Sequence, residues 1–269
     1  MKKILIIEDD LIDQMAITRM LKKQNIEYQY TIAKSIKAAK MELTQTSFDL
    51  VITDHNLADG TTFDLLDDLK NTSFILISGN EVSSTINSVK SKLGAIACYT
   101  KDLDMNYLEE LPKVIKQFFK QKIVIPKQQK NQSILENVEV KHKEFIPTQN
   151  TQNVFISLKN AHKIFDGKKQ EIKESIELFI FHKPREMENL YNYLNKEDCQ
   201  NVQKTTHLMK SGFRIFEMKA QFELAEFIEK SAGLNEKMCS CEKVINAFKQ
   251  LSIDTKIAIE KLQKEIPLL

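Results

Sequence analysis

The chain has 269 residues, longer than the roughly 100 to 150 of a common single domain, so two domains are expected. Hydrophobic residues at 42% and charged residues at 28% are ordinary globular proportions, which argues against wholesale disorder, a collagen-like repeat and a membrane-embedded chain. Thirty-nine Lys and Arg against thirty-seven Asp and Glu leave +2, too small a net charge to drive general attraction to nucleic acid, and no nucleic-acid-reading module is recognised.

The first 120 residues alternate short β-branched runs with helical patterns. Ile4 to Ile7, Tyr28 to Ile32, Leu50 to Thr53, Phe74 to Ile77 and Ala95 to Tyr99 read as strands, and strands alternating with helices imply a parallel sheet. LVIT and FILI are apolar on both faces, as strands covered on both sides must be, whereas EYQYTIA is mixed and suits an edge. Residues 1–120 are therefore expected to form a doubly wound α/β domain. Its last helix is expected from Leu111 to Lys120, with Pro112 in the first turn. Residues 121–150 carry two prolines and many Gln, Asn and Lys without an apolar period, which reads as a linker.

From residue 151 to 269 the pattern is helical throughout. Helices are expected over Phe155 to Phe165, Lys169 to Asn195, Asp198 to Glu217, Lys219 to Ala232 and Cys241 to Lys264, with breaks at Asp166-Gly167 and Gly233-Leu234-Asn235. The second domain is thus an all-α bundle. The six glycines form no phosphate-cradling spacing for ATP or NAD. The four cysteines, Cys98, Cys199, Cys239 and Cys241, lack paired C-x-x-C spacing and read as reduced thiols; Cys239 with Cys241 as a metal site is the minor alternative. Ile4 to Ile7 is cut short by Glu8, so it is neither a signal core nor a spanning helix, and a cytoplasmic protein without membrane attachment is expected.

In a doubly wound sheet, functional groups collect beyond the carboxyl ends of the strands. Here those ends read Glu8-Asp9-Asp10, Thr53-Asp54, Ser78-Gly79 and Tyr99-Thr100-Lys101. Converging carboxylates repel unless a cation neutralises them, and oxygen ligands select a hard ion such as Mg²⁺. Lys101 adds fixed positive charge, and Ser78 a hydroxyl able to bond a phosphoryl oxygen. Asp54 in isolation would pass for a cap or turn residue; the convergence of four strand ends is what gives it chemistry.

ILIIEDD, FDLVITDHNLADG, FILISGN and CYTKD resemble the receiver domain of bacterial response regulators over residues 1 to about 120. The resemblance implies a flavodoxin-like receiver in which Asp54 accepts a phosphoryl group and Glu8 and Asp9 form the acidic pair. It further implies that Asn56 ligates Mg²⁺ through its carbonyl, Ser78 is the switch hydroxyl and Lys101 contacts the phosphoryl group. Three positions depart from the family: Cys98 stands where a switch aromatic is usual, with Tyr99 displaced to the opposite strand face; Ala58 and Asp102 each replace a common proline. A rival reading sets D-H-N-L-A-D-G-T at Asp54 to Thr61 against the D-x-D-G-T box of haloacid-dehalogenase-like phosphatases, with its two aspartates too far apart.

Among five histidines, His207 is singled out. At about 100° per residue, Val202, Thr206, Met209, Phe213 and Phe216 form one apolar stripe, and His207 lies roughly 140° from its centre. It is therefore expected to face solvent with Gln203, Lys210, Ser211 and Arg214, largely neutral at an unperturbed pKa of about 6.5. THLMKSGF resembles the H-x-x-K-G-S motif of histidine phosphotransfer domains, a four-helix fold, with Lys210 one turn on and Ser211, Phe213 and Phe216 departing from the pattern. Small residues at 211 and 212 would let a receiver approach. His55 is expected to point away from the acidic site, and His142, His162 and His182 lack such a context. The combined resemblance implies a two-component phosphorelay protein without a kinase of its own, fed by a sensor histidine kinase and drained by another receiver domain. The alternative is a non-catalytic adaptor whose receiver regulates access to the helical domain.

Overall fold

The structure is a computed structural model that describes residues 2–24, 27–79, 95–121, 154–234 and 238–269. Gln121, the first residue of the expected linker, ends a helix instead; the rest of that linker, His142 and the expected break at Asn235 lie outside these residues. Strands β1 (Lys2–Ile7), β2 (Tyr28–Ala33), β3 (Leu50–Asp54), β6 (Phe74–Ser78) and β7 (Ala97–Thr100) form one parallel sheet in the order β2-β1-β3-β6-β7; β4 (Asn56–Leu57) and β5 (Gly60–Thr61) make a small antiparallel hairpin after β3. As the mixed pattern of EYQYTIA requires, β2 lies at the edge, while every residue of β3 and β6 is buried.

Alternation along the strands divides the core between the two sheet faces. Ile4, Ile6, Ile52, Ile75 and Ile77 pack with Ile17 and Leu21 of α1 (Leu11–Lys22) and with Leu111 and Ile115 of α3 (Tyr107–Gln121). Leu5, Ile7, Val51 and Leu76 face the other way, toward Ile36 and Ala39 of α2 (Ile36–Gln45). Cys98 packs with this second set and Tyr99 with the first, as the strand period predicts. Sheet order reverses between β1 and β3, and Glu8 and Asp54 emerge at that switch. The last helix begins at Tyr107, four residues before the expected Leu111, so Pro112 lies inside it rather than in its first turn. Burial of Tyr107 and an entry closed by Leu108 and Glu109 amide bonds to Met105 and Asn106 carbonyls explain the earlier start.

The helical half comprises α4 (Lys159–Phe165), α5 (Lys169–Asn195), α6 (Cys199–Ile215), α7 (Lys219–Leu234) and α8 (Glu242–Glu265). The four long helices pack in a ring, α5 and α7 each touching α6 and α8. The predicted stripe of α6 is its core face: Val202, Thr206, Met209, Phe213 and Phe216 are fully buried. Two expectations change here. Residues 155–158 are not helical, because the Ser157 amide bonds the Phe216 carbonyl and Lys261 bonds the Val154 carbonyl, holding the segment as a strap. Gly233 does not break α7 but lies in its last turn, where a Cβ would meet the Gln203 side chain at 2.9 Å; the missing side chain lets α6 and α7 close.

The cysteines also differ from expectation. Cys199, at the start of α6, and Cys239, just before α8, form a disulfide, while Cys98 and Cys241 do not. Cys239 is therefore committed to a partner forty residues away rather than to a metal with Cys241. No helix among the described residues is long and apolar enough to cross a membrane.

Candidate functional site

The strand ends bring Glu8, Asp9, Asp54, Ser78 and Lys101 together, as read from the sequence. Glu8 and Asp54 are 1% and 2% exposed, so their charge must be compensated within the protein. Lys101 supplies part of that compensation: its Nζ lies 2.8 Å from Glu8 Oε2, 2.5 Å from Asp54 Oδ2 and 2.8 Å from Asp13 Oδ2. Burial pulls the Lys101 pKa down, but Asp13, Asp54 and Glu8 together hold it well above the usual lysine range. The Glu8 carboxyl is pushed up by burial and by its neighbouring acids, with Lys101 opposing. Burial and Asp54 likewise raise Asp9.

Such raised carboxyls are what a bound cation relieves. Glu8, Asp9 and Asp54 each offer an oxygen within 4.8 Å of the others. Among the described residues, Asp9 Oδ1 and Ser78 Oγ are buried without a hydrogen-bond partner. All-oxygen donors with an unsatisfied carboxylate fit a hard divalent ion. Asp9 is oriented through its other oxygen, which accepts the Ala58 amide at 2.9 Å. A proline at 58 could not donate that bond, so this departure from the family pattern has a structural use; the Asp102 amide similarly donates to the Thr100 carbonyl. Asn56 sits beside this group, its amide 3.3 Å from Asp54 Oδ1. Asp59, the second aspartate of the phosphatase-like box, caps α2 instead, accepting the Ile36 and Lys37 amides at 2.7 and 3.0 Å, so the box does not assemble.

Asp10 and Asp13 serve the other half of the molecule. Asp10 caps α1 through Oδ1, which accepts the Ile12 and Asp13 amides at 2.9 Å, and its Oδ2 accepts the Ser211 hydroxyl at 2.6 Å. Asp13 is 2% exposed and pairs with Arg214 of α6 as well as with Lys101. Burial alone would raise the Asp13 carboxyl, but Arg214 and Lys101 override it and hold it well below the usual range. Sequence reasoning missed this residue. Its signal was its position three after the cap Asp10, in the first turn of α1, with an arginine in the helical half that only the fold identifies as its partner.

These contacts place the polar face of α6 on the acidic site and overturn its expected exposure. Lys210, Ser211 and Arg214 are 8%, 5% and 3% exposed; Gln203 alone of the expected solvent set stays out. Apolar periodicity marks the face α6 turns to its own bundle, but it is blind to a polar face covered by complementary charge. A cavity of about 20 Å³, room for about one water, is walled by Glu8, Asp13 and Lys101 on one side and by His207, Lys210 and Ser211 on the other. A groove of about 320 Å³ runs alongside, from Asp9 and Asn56 to Gln203, His207 and Glu229.

His207 is not the freely exposed, unperturbed histidine expected. Its side chain is 18% exposed, and Nδ1 lies 2.6 Å from Glu229 Oε1 on α7. Burial lowers its pKa, but the Glu229 hydrogen bond and charge, aided by Asp54, raise it above the ordinary 6.5. Glu229 also pairs with Lys210 at 2.5 Å, and burial raises its carboxyl less than His207 and Lys210 lower it. The contact at Nδ1 leaves Nε2 as the nitrogen with a free lone pair in the neutral ring. Gly212, expected to make room for a receiver, makes room for Lys183 of α5: a Cβ there would meet Lys183 Cε at 2.6 Å. Phe216, where a second glycine is common, is fully buried edge-on against Phe179, 5.2 Å between ring centres. His55 packs edge-on against Phe63 at 4.9 Å, and His182 against Phe181 at 5.1 Å.

Comparison with known proteins follows the same division. The family model for the response regulator receiver domain matches residues 4–113. Among solved structures, the chain is similar to the Mn²⁺-bound form of response regulator Rcp1, with 21% identity over 47% of this chain and 99% of that one and a TM-score of 0.40. The non-phosphorylated HemR receiver domain from Leptospira biflexa is 25% identical over 44% of this chain and 93% of its own, with a TM-score of 0.37. The chemotaxis response regulator CheY4 of Vibrio cholerae is 21% identical over 42% and 98%, with a TM-score of 0.36. No curated protein matches the chain. With the acids, the lysine and the strand order in place, residues 4–113 are a response regulator receiver domain, which indicates a role in two-component signalling.

Proposed function

We propose that this protein is a phosphorelay component in which Asp54 of the receiver and His207 of a histidine phosphotransfer domain, residues 151–269, exchange a phosphoryl group. The observation that carries the reading is the shared cavity: the helix face bearing His207 and Lys210 closes the space above Glu8, Asp13 and Lys101. Glu8, Asp9 and Asp54, with the Asn56 carbonyl, would hold Mg²⁺, which neutralises charge on the phosphoryl oxygens when bound. For transfer toward histidine, the Nε2 lone pair of neutral His207 forms the new bond to phosphorus. The bond from phosphorus to the Asp54 oxygen breaks, and its electron pair stays on the carboxylate. Glu229 accepts the Nδ1 proton in a hydrogen bond and stabilises the positive charge that grows on the ring. Lys101 and Lys210 lie where phosphoryl oxygens pass, and the unpartnered Ser78 hydroxyl is free to donate to one.

In this reading a sensor histidine kinase in the cytoplasm supplies the phosphoryl group and another receiver domain can withdraw it. A second reading, an adaptor whose receiver only controls access to the helical domain, is favoured by the burial of Asp54, which is 2% exposed. Acetyl phosphate with Mg²⁺, followed by intact mass and site mapping, separates the two. Label on His207 that disappears in Asp54→Asn supports the relay; a wild-type chain that takes no label at either residue supports the adaptor and overturns the relay.

A further inference from the structure

The contacts between the two halves are unequal. Lys23–Asp166 and Lys163–Glu109 are half-exposed ion pairs at the rim, a class that contributes little to association. Asp13–Arg214 is different. Both side chains are at most 3% exposed, Arg214 donates from one terminal nitrogen to Asp13 Oδ1, and its Nε is buried without a partner among the described residues. The Arg214 carbonyl also accepts Asn160 Nδ2 at 3.0 Å, and the same nitrogen lies 2.8 Å from the Leu103 carbonyl of the receiver.

The placement of this pair along its two helices matters as much as its burial. Arg214 follows His207 by seven residues, two turns along the same face of α6. Asp13 lies in the first turn of α1, three residues after its cap Asp10 and four after Asp9. Ser211 on Asp10 lies between them. Together these contacts set the register of α6 against α1, and with it the height of His207 over the acids of β1 and β3. Removing one partner of a buried ion pair leaves an uncompensated charge, so a receiver without an acid at the position of Asp13 would have to bury Arg214 unpaired.

We propose that the Asp13–Arg214 pair is a specificity latch that commits His207 to the receiver of its own chain. The inference rests on the phosphorelay reading for its consequence, but docking can be tested without phosphoryl chemistry. Outside receivers reach His207 only after the latch opens, and those lacking the matching acid dock poorly on the exposed face.

The test uses the full chain as wild type, Asp13→Asn, Arg214→Gln and the double variant, each first checked for folding by circular dichroism. Small-angle scattering reads docking through the radius of gyration. Asp13→Asn, which strands Arg214, should expand the particle; adding Arg214→Gln should return it toward the wild-type radius, a rescue that a simple folding defect would not give. A second arm loads each chain with acetyl phosphate and Mg²⁺ and mixes it with ¹⁵N-labelled His207→Gln chain, so that mass separates label kept within a chain from label that crosses. Crossing should rise at least tenfold in Asp13→Asn and fall back in the double variant. A wild-type radius in Asp13→Asn, or an expanded double variant, overturns the latch. Absence of any label in wild type overturns the relay reading instead and leaves the scattering result to judge the docking.

Discussion

The two halves of this protein assemble reactive groups by opposite means. The receiver gathers Glu8, Asp54 and Lys101 from three strand ends far apart in sequence, each fixed by a backbone hydrogen-bonded into the sheet. The helical half carries His207, Lys210, Ser211 and Arg214 within eight residues of one helix and borrows only Glu229 from its neighbour. The first arrangement is rigid because strands are covered on both faces. The second is rigid only along the helix; what surrounds its side chains depends on what lies against that face.

That contrast predicts unequal sensitivity to substitution. The largest effect falls on the receiver: Asp54→Asn abolishes Mg²⁺-dependent labelling, and Lys101→Ala, which strips three buried carboxylates of their shared cation, slows it by about 10²- to 10³-fold, both read by intact mass over time. Lys210→Ala, whose ammonium pairs with Glu229 rather than with the strand-end acids, should cost about tenfold or less in transfer to His207. Equal losses in the two lysine variants would erase the distinction.

Stability should divide the same way. Reduction, or Cys199→Ser, opens a forty-residue loop within the helical half and lowers its stability by about 2–4 kcal/mol. Denaturant titration followed by helical ellipticity should show that loss. Gly212→Ala forces Lys183 and Phe179 aside and costs about 1–3 kcal/mol in the same measurement.

The smallest effect is a shift rather than a loss. The His207 pKa is raised above 6.5, so the protonated ring, which lacks a free lone pair, persists to higher pH than usual. Transfer into His207 should therefore increase as pH rises through and beyond 6.5, and Glu229→Gln should move that rise to lower pH. The same linkage makes the Glu229 contact stabilising in full below 6.5 and less so as pH climbs through the raised value. A pH–rate profile unchanged by Glu229→Gln would mean that the carboxylate holds Lys210 rather than the imidazole.

Much of the site is legible in the chain because strands end where their apolar runs end, which makes neighbours of Glu8, Asp54, Ser78 and Lys101 on local patterning alone. The apolar stripe of α6 is legible for a similar reason: burial within the bundle imposes a 3.6-residue period on side-chain polarity. The same logic fails for the exposure of His207. A polar face covered by opposite charges looks, in sequence, like a polar face in water.

The sequence by itself therefore determined the doubly wound sheet, its edge strand, the helical second half and the identity of the acidic strand ends, since each follows from local periodicity and chain order. Tertiary structure alone decided that Asp13 meets Arg214 across 201 residues, that Cys199 pairs with Cys239, and that Glu229 meets His207. Those pairings depend on where two surfaces come to rest. Charge complementarity, a Cβ that is missing at Gly233 and the packing of α6 on α1 choose that place, and none of them leaves a period in the chain.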